Sequence, residues 1–257
     1  PGLNISKEQF LNIKSRWLRK NSNIDLIEAY LLNNQTINDH TELTKYLVNY
    51  HLSRSNIEQP CKIFSKIDNT IEDKYLSKFK IYCLVNNGKK DEAQLLLDLK
   101  KELGFKDKFF EKKFNYLMGY STEPETTISE KTIFDFHLSH RTNPDFSFEP
   151  KKTTSKQIWK YLSTSNLLSN TSEIELDDIE KIQTIEKATH ERNYSEKEMF
   201  DLYKRFQFNI NQLLNIKESS KVLTNVETRA LIYQGILITS DIKKKFELIN
   251  ALKNSFN

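Results

Sequence analysis

The sequence predicts an all-α protein: an α-solenoid of antiparallel helical hairpins with an irregular helical C-terminal half. Three observations carry this expectation. Across 257 residues there are only 5 glycines and 5 prolines, too few to punctuate a β-sandwich or the phosphate loops of a nucleotide-binding α/β fold. Apolar residues recur at helical spacing along most of the chain, so strand should stay below about 5%. A helix–turn–helix unit also repeats: Ser22-Asn23-Ile24-Asp25 returns as Ser55-Asn56-Ile57-Glu58, and a further shift of 33 residues lands on Gly88-Lys89-Lys90-Asp91.

Each of these turns lies between two apolar-periodic stretches. Phe10 to Leu18, Leu43 to Leu52 and Tyr75 to Val85 precede them; Leu26 to Leu32, Cys61 to Ile67 and Ala93 to Leu103 follow. The segment Asn87-Gly88-Lys89-Lys90-Asp91-Glu92-Ala93-Gln94 resembles the tetratricopeptide repeat, in which a Gly-x-x-x-Glu-Ala turn joins helix A to helix B and a small residue lets them approach. Ala93 stands at the small position, and Ile27 and Pro60 stand at its equivalents. Ser77, Lys80 and Ile81 depart from the family's pattern in helix A. The resemblance spans residues 7–104. It implies a superhelical stack with an extended binding groove and no chemistry of its own. Polar helix-A positions, Lys45, Asn49, Lys78 and Asn86, are the candidate groove residues.

Beyond Gly104 the pattern predicts a helix over Asp107 to Met118, with Phe109, Phe110, Phe114 and Leu117 on one face and Gly119 as its C-cap. The polar stretch 121–127 marks a boundary, giving a hairpin array over 1–120 and a further helical region over 121–257. Ser129 to His140 predicts a short helix, and Arg141 to Thr154, with Pro144 and Pro150, a long loop. Helices are then expected near 154–164, 175–192, 195–207, 209–216, 224–238 and 241–255. Ser195 with Glu198 has the spacing of a capping box.

Net charge is +4, the small difference between 39 basic and 35 acidic residues. Lys106-Asp107-Lys108 and Lys243-Lys244-Lys245 have acids interleaved or adjacent, the pattern of solvated helix faces more than of a basic stripe for nucleic acid. No apolar run approaches the ~20 residues that span a bilayer. Pro1-Gly2-Leu3-Asn4 is neither a signal peptide nor a natural initiator and has the look of a trimmed or processed start.

Catalytic signatures are missing from the sequence. The five glycines lie far apart, no Gly-x-Ser-x-Gly occurs, and the acidic pairs Glu173/Glu175 and Asp177/Asp178 sit where a helix N-terminus favours carboxylates. His137 and His140 could share a helix face, but spacing suggests no third metal ligand. No cofactor or metal is expected. Most aromatic residues follow core spacing. Phe146 and Phe148, in the loop beside two prolines, are candidates for an exposed partner anchor or for a plug sealing the array.

The two cysteines fall at matched heights of adjacent helices. Cys61 lies near the start of helix B in the second unit and Cys83 near the end of helix A in the third. They are expected to be neighbours, either as reduced, buried thiols or as a disulfide, which would favour an oxidising compartment such as the periplasm or cell envelope. The expected function is a non-catalytic scaffold for a protein or polymer partner. The alternatives are the superhelical part of a bacterial peptidoglycan enzyme or envelope assembly factor, and a nucleic-acid-binding repeat.

Overall fold

A computed structural model describes residues 4–21, 23–34, 37–66 and 71–256; among them every regular element is helical. Residues 1–3, Ser22 and Ile67, which entered the sequence reading, lie outside the described residues. The chain forms two compact units, 1–147 and 148–257.

Unit 1 contains α1 (Lys7–Asn21), α2 (Ile24–Asn34), α3 (Thr41–Leu52), α4 (Glu58–Phe64), α5 (Lys74–Asn86), α6 (Lys90–Glu102), α7 (Lys108–Met118) and α8 (Ile133–Arg141). The odd-numbered helices begin at residues 7, 41, 74 and 108, in steps of 34, 33 and 34, and each packs on the next. Helix α2 packs on α3, α4 on both α3 and α5, and α6 on α5. Pro60 occupies the first turn of α4, where a missing N–H costs nothing because that donor has no partner within the helix.

The turns after α3 and α5 share one backbone geometry. Ser55 and Gly88, 33 residues apart, are both left-handed, with φ of 55° and 76°. Ser55 N–H donates to the Leu52 carbonyl at 2.9 Å and Asn56 N–H to His51 at 3.0 Å; Gly88 N–H donates to Val85 at 3.0 Å and Lys89 N–H to Leu84 at 2.9 Å. This Schellman pattern satisfies carbonyls that the helix end leaves open. A Cβ added at Gly88 would meet nothing within 4 Å, so the cost of a side chain there is purely conformational. Gly88→Ala is expected to lower stability by about 1 kcal/mol, and Gly88→Asn by less, because Asn tolerates the left-handed region. Urea denaturation of the two variants checks this; equal losses would mean that the cost does not lie in the backbone.

Helix α8 is enclosed on every side. Ile133 through Ser139 are all buried. The helix packs on α3 and α7, and Phe134 meets the rings of Tyr75, Phe79 and Tyr82 on α5 at 5.9, 5.3 and 5.5 Å. It begins at Ile133, later than the expected Ser129, because the Thr132 hydroxyl caps it by accepting from Asp135 N–H at 3.0 Å. Burying Ile133, Phe134, Phe136 and Leu138 contributes roughly 10 kcal/mol of transfer free energy, so α8 belongs permanently to the core. The stretch 121–127 runs inside this unit. The Glu125 carbonyl accepts from Lys113 Nζ at 2.6 Å and from the Thr142 hydroxyl at 3.0 Å.

Unit 2 contains α9 (Lys156–Thr164), α10 (Ile179–His190), α11 (Glu196–Arg205), α12 (Ile210–Leu214), α13 (Ile216–Ser219), α14 (Asn225–Ile238) and α15 (Ile242–Asn254). Helix α14 is central and touches α10, α11, α12, α13 and α15. Gly235 allows the approach of α13, since a Cβ there would lie 2.2 Å from Ile216 Cδ1. Asp178 caps α10 by accepting from Lys181 N–H, so this acid serves a helix end. Ser195 accepts from Glu198 N–H, but the reciprocal capping boxes of this unit are Asn209 with Gln212 and Thr224 with Glu227.

Candidate functional site

The helix-A positions expected to line a groove are mostly engaged within the unit. Lys45 pairs with Asp73 at 2.8 Å and Glu42 at 3.3 Å, and Asn49 accepts the Tyr75 hydroxyl. Lys78 is buried and bridges Asp107 at 2.9 Å to Asp135 at 3.2 Å. Its partner Asp135 stands on α8, which covers the face expected to stay open, so Lys78 holds the core together instead of meeting a ligand. Burial raises the pKa of Asp107, but the Phe110 N–H and the Lys78 ammonium outweigh it and hold the carboxyl below its ordinary range. Asn86, at the end of α5, is exposed.

Phe146 is half-buried, its ring edge-to-face with Phe136 at 5.5 Å and 5.1 Å from the His140 ring. It covers the core of unit 1 in the manner of a plug. Phe148, the first residue of unit 2, is also half-buried. His137 meets the Tyr82 hydroxyl at 2.8 Å through Nε2, so the two histidines of α8 are turned to separate aromatic partners.

Cys61 on α4 and Cys83 on α5 are joined in a disulfide, with Cα atoms 5.3 Å apart and a sequence separation of 22. Closing a loop of that length in the unfolded chain stabilises the fold by about 3 kcal/mol in the chain-entropy model. The disulfide also forms part of the wall of an open cleft of about 390 Å³ between α4, α5 and α6, lined further by Phe64, Leu84, Leu95 and Leu99. Lys89 and Glu92 form an ion pair at 3.0 Å among the residues of this cleft.

Helix α6 is apolar on two opposite sides. Ala93 and Leu97 are buried, as is the stem of Lys100, whose ammonium donates to the Ile71 carbonyl. Leu95, Leu99 and Leu103 recur every four residues on the outer side and are 73%, 46% and 70% exposed. A helix whose only task were to cover α5 would carry polar residues there. A ridge of leucines running into an apolar cleft is the geometry that receives the apolar face of an amphipathic helix. The sequence reading missed this site. Its signal was the Leu95-Leu96-Leu97 run with Leu99 and Leu103, more leucines than one buried stripe can use.

Comparison with protein-family models, curated proteins and solved structures found no match for this chain. Among the described residues, no helix is long and apolar enough to cross a membrane.

Proposed function

We propose that this chain is a non-catalytic α-solenoid scaffold. On this reading, tetratricopeptide-like hairpins in its first unit present the α6 ridge and the adjoining cleft to a protein partner. The single observation that carries the reading is the outward row Leu95, Leu99 and Leu103, continuous with the cleft walled by the Cys61–Cys83 disulfide. The near-33-residue spacing of the odd-numbered helices and the matching caps at Ser55 and Gly88 support a repeated hairpin. The partner is a protein segment that forms an amphipathic helix and lays its apolar face across α6. Buried ionisable groups support a structural role, since Lys78 is consumed by two aspartates and Arg229 by Glu186. The disulfide favours an oxidising compartment such as the periplasm, and with it a task in the cell envelope.

The test is a photo-crosslinking residue at Leu103, used in the native organism to trap the partner, followed by binding measurements on Leu95→Glu/Leu99→Glu. Both leucines are exposed, so the circular dichroism spectrum should not change. Affinity should fall at least about a hundredfold, since two central apolar anchors are worth more than about 3 kcal/mol together. Undiminished affinity would remove this site. Binding that survives the substitution and falls steeply with salt would favour the nucleic-acid alternative.

A further inference from the structure

Helix α1 carries a second unpartnered apolar face, and its charges specify what covers it. Its inner side, with Ser15 buried and Leu11 and Leu18 half-buried, belongs to the face packed on α3. The outer side carries Phe10, Ile13 and Trp17 at helical spacing, 41%, 51% and 59% exposed. Arg16 and Lys20 border this stripe on one flank and Lys14, over the Tyr30 ring at 4.4 Å, on the other. Arg16, Arg19 and Lys20 have no carboxylate partner among the described residues, whereas Lys7, Lys45, Lys78 and Lys101 are all paired. The helix has one acid, Glu8.

We propose that α1 seats unit 1 on an anionic membrane surface, lying in the interface without crossing it. Three features favour a bilayer over an acidic protein. The stripe is the ridge of a single helix, a convex shape that a deformable interface accepts. It pairs an aromatic Trp and Phe with an aliphatic residue, side chains that settle at the headgroup boundary. Its cations lie along the flanks, where long stems can lift the charge to the phosphates while the apolar stripe goes in.

The test uses the full chain with vesicles of phosphatidylcholine alone and of phosphatidylcholine containing about one-third phosphatidylglycerol, at low and high salt. The chain has two tryptophans, and Trp159 is already buried at 4% exposure, so a blue shift of emission on adding vesicles reports Trp17. The expected result is a blue shift and co-sedimentation with the anionic vesicles only, both weakened by salt. Arg16→Glu/Lys20→Glu and Trp17→Ala should each reduce partitioning at least about tenfold, the first by reversing two cations beside an anionic surface and the second by removing the aromatic anchor. Leu95→Ala, on α6, should leave it unchanged. All these side chains are exposed, and circular dichroism verifies the fold of each variant. Failure to bind, or equal binding to both vesicle types, would overturn the proposal. So would an acidic amphipathic peptide that shifts Trp17 emission when anionic vesicles do not, which would make the face a protein site.

Discussion

Arg229→Met is expected to destabilise unit 2 by about 3–5 kcal/mol, the cost of leaving a buried charge without its counter-ion. Glu186 on α10 and Arg229 on α14 are both buried. The guanidinium grips the carboxylate with Nε on Oε1 at 2.8 Å and Nη2 on Oε2, while the Tyr203 hydroxyl of α11 donates to Oε1 at 2.7 Å. Arg229 Nη1 also reaches the Ser255 carbonyl at 3.1 Å, tying the end of α15 to the same point. Burial alone would lower the pKa of Arg229, but the bonds to Glu186 overrule it and hold it above the ordinary value. Methionine fills the volume and strands the carboxylate on the one remaining Tyr203 bond. The triple variant Glu186→Leu/Arg229→Met/Tyr203→Phe removes every polar side chain of the network and should recover most of the stability. Urea titrations of the single and triple variants check both. A single-variant loss under about 1 kcal/mol would show that the three helices are held by apolar packing alone.

The helices of both units were legible in the sequence because their signals are local. Sparse breakers, 3.6 periodicity and end residues such as Gly119, left-handed at φ 83°, each act within a turn or two of chain. The adjacency of Cys61 and Cys83 follows from the same local reading, since antiparallel neighbours place the start of one helix level with the end of the next. What could not be read was the fate of α8. A helix enclosed on all sides has no amphipathic signature, and Asp135, His137 and Ser139 resemble a solvent face until their partners are known. Those partners are distant: Lys78 is 57 residues from Asp135 and Tyr82 is 55 from His137. Lys78 therefore read as a groove residue although it is a core cation. The outward faces of α1 and α6 were legible and were passed over, since both show a second apolar stripe at helical spacing. An apolar residue in a helix was assigned to the core by default.

Acidification from about pH 6.5 toward pH 4 should cost unit 1 several kcal/mol, and His137 should account for the largest share. This imidazole lies inside α8, edge-on to Tyr82 with ring centroids 5.3 Å apart, and its Nε2 meets the Tyr82 hydroxyl at 2.8 Å. Burial disfavours its charged form, and Arg141 and His140, the cationic neighbours on the same helix, add to this, so its pKa falls from 6.5 to about 3. Between those values the unfolded chain binds a proton that the folded chain refuses, so stability falls as pH falls. At about 1.4 kcal/mol per unit the full loss approaches roughly 5 kcal/mol near pH 3. His40, His51 and His140 are also depressed, chiefly by burial, and act in the same direction. Asp107 joins only below the ordinary carboxylate range, its own pKa being lowered. His137→Gln keeps an acceptor for the Tyr82 hydroxyl but cannot be protonated. It should cost about 1–2 kcal/mol at neutral pH through imperfect packing and flatten the slope between pH 6.5 and 4 by about one proton. The measurement is a set of urea titrations across that range, read by circular dichroism and by hydrogen exchange of the α8 amides. Parallel pH profiles for the variant and the parent chain would mean that His137 is protonated without unfolding α8, and the acid sensitivity would then belong to the other histidines.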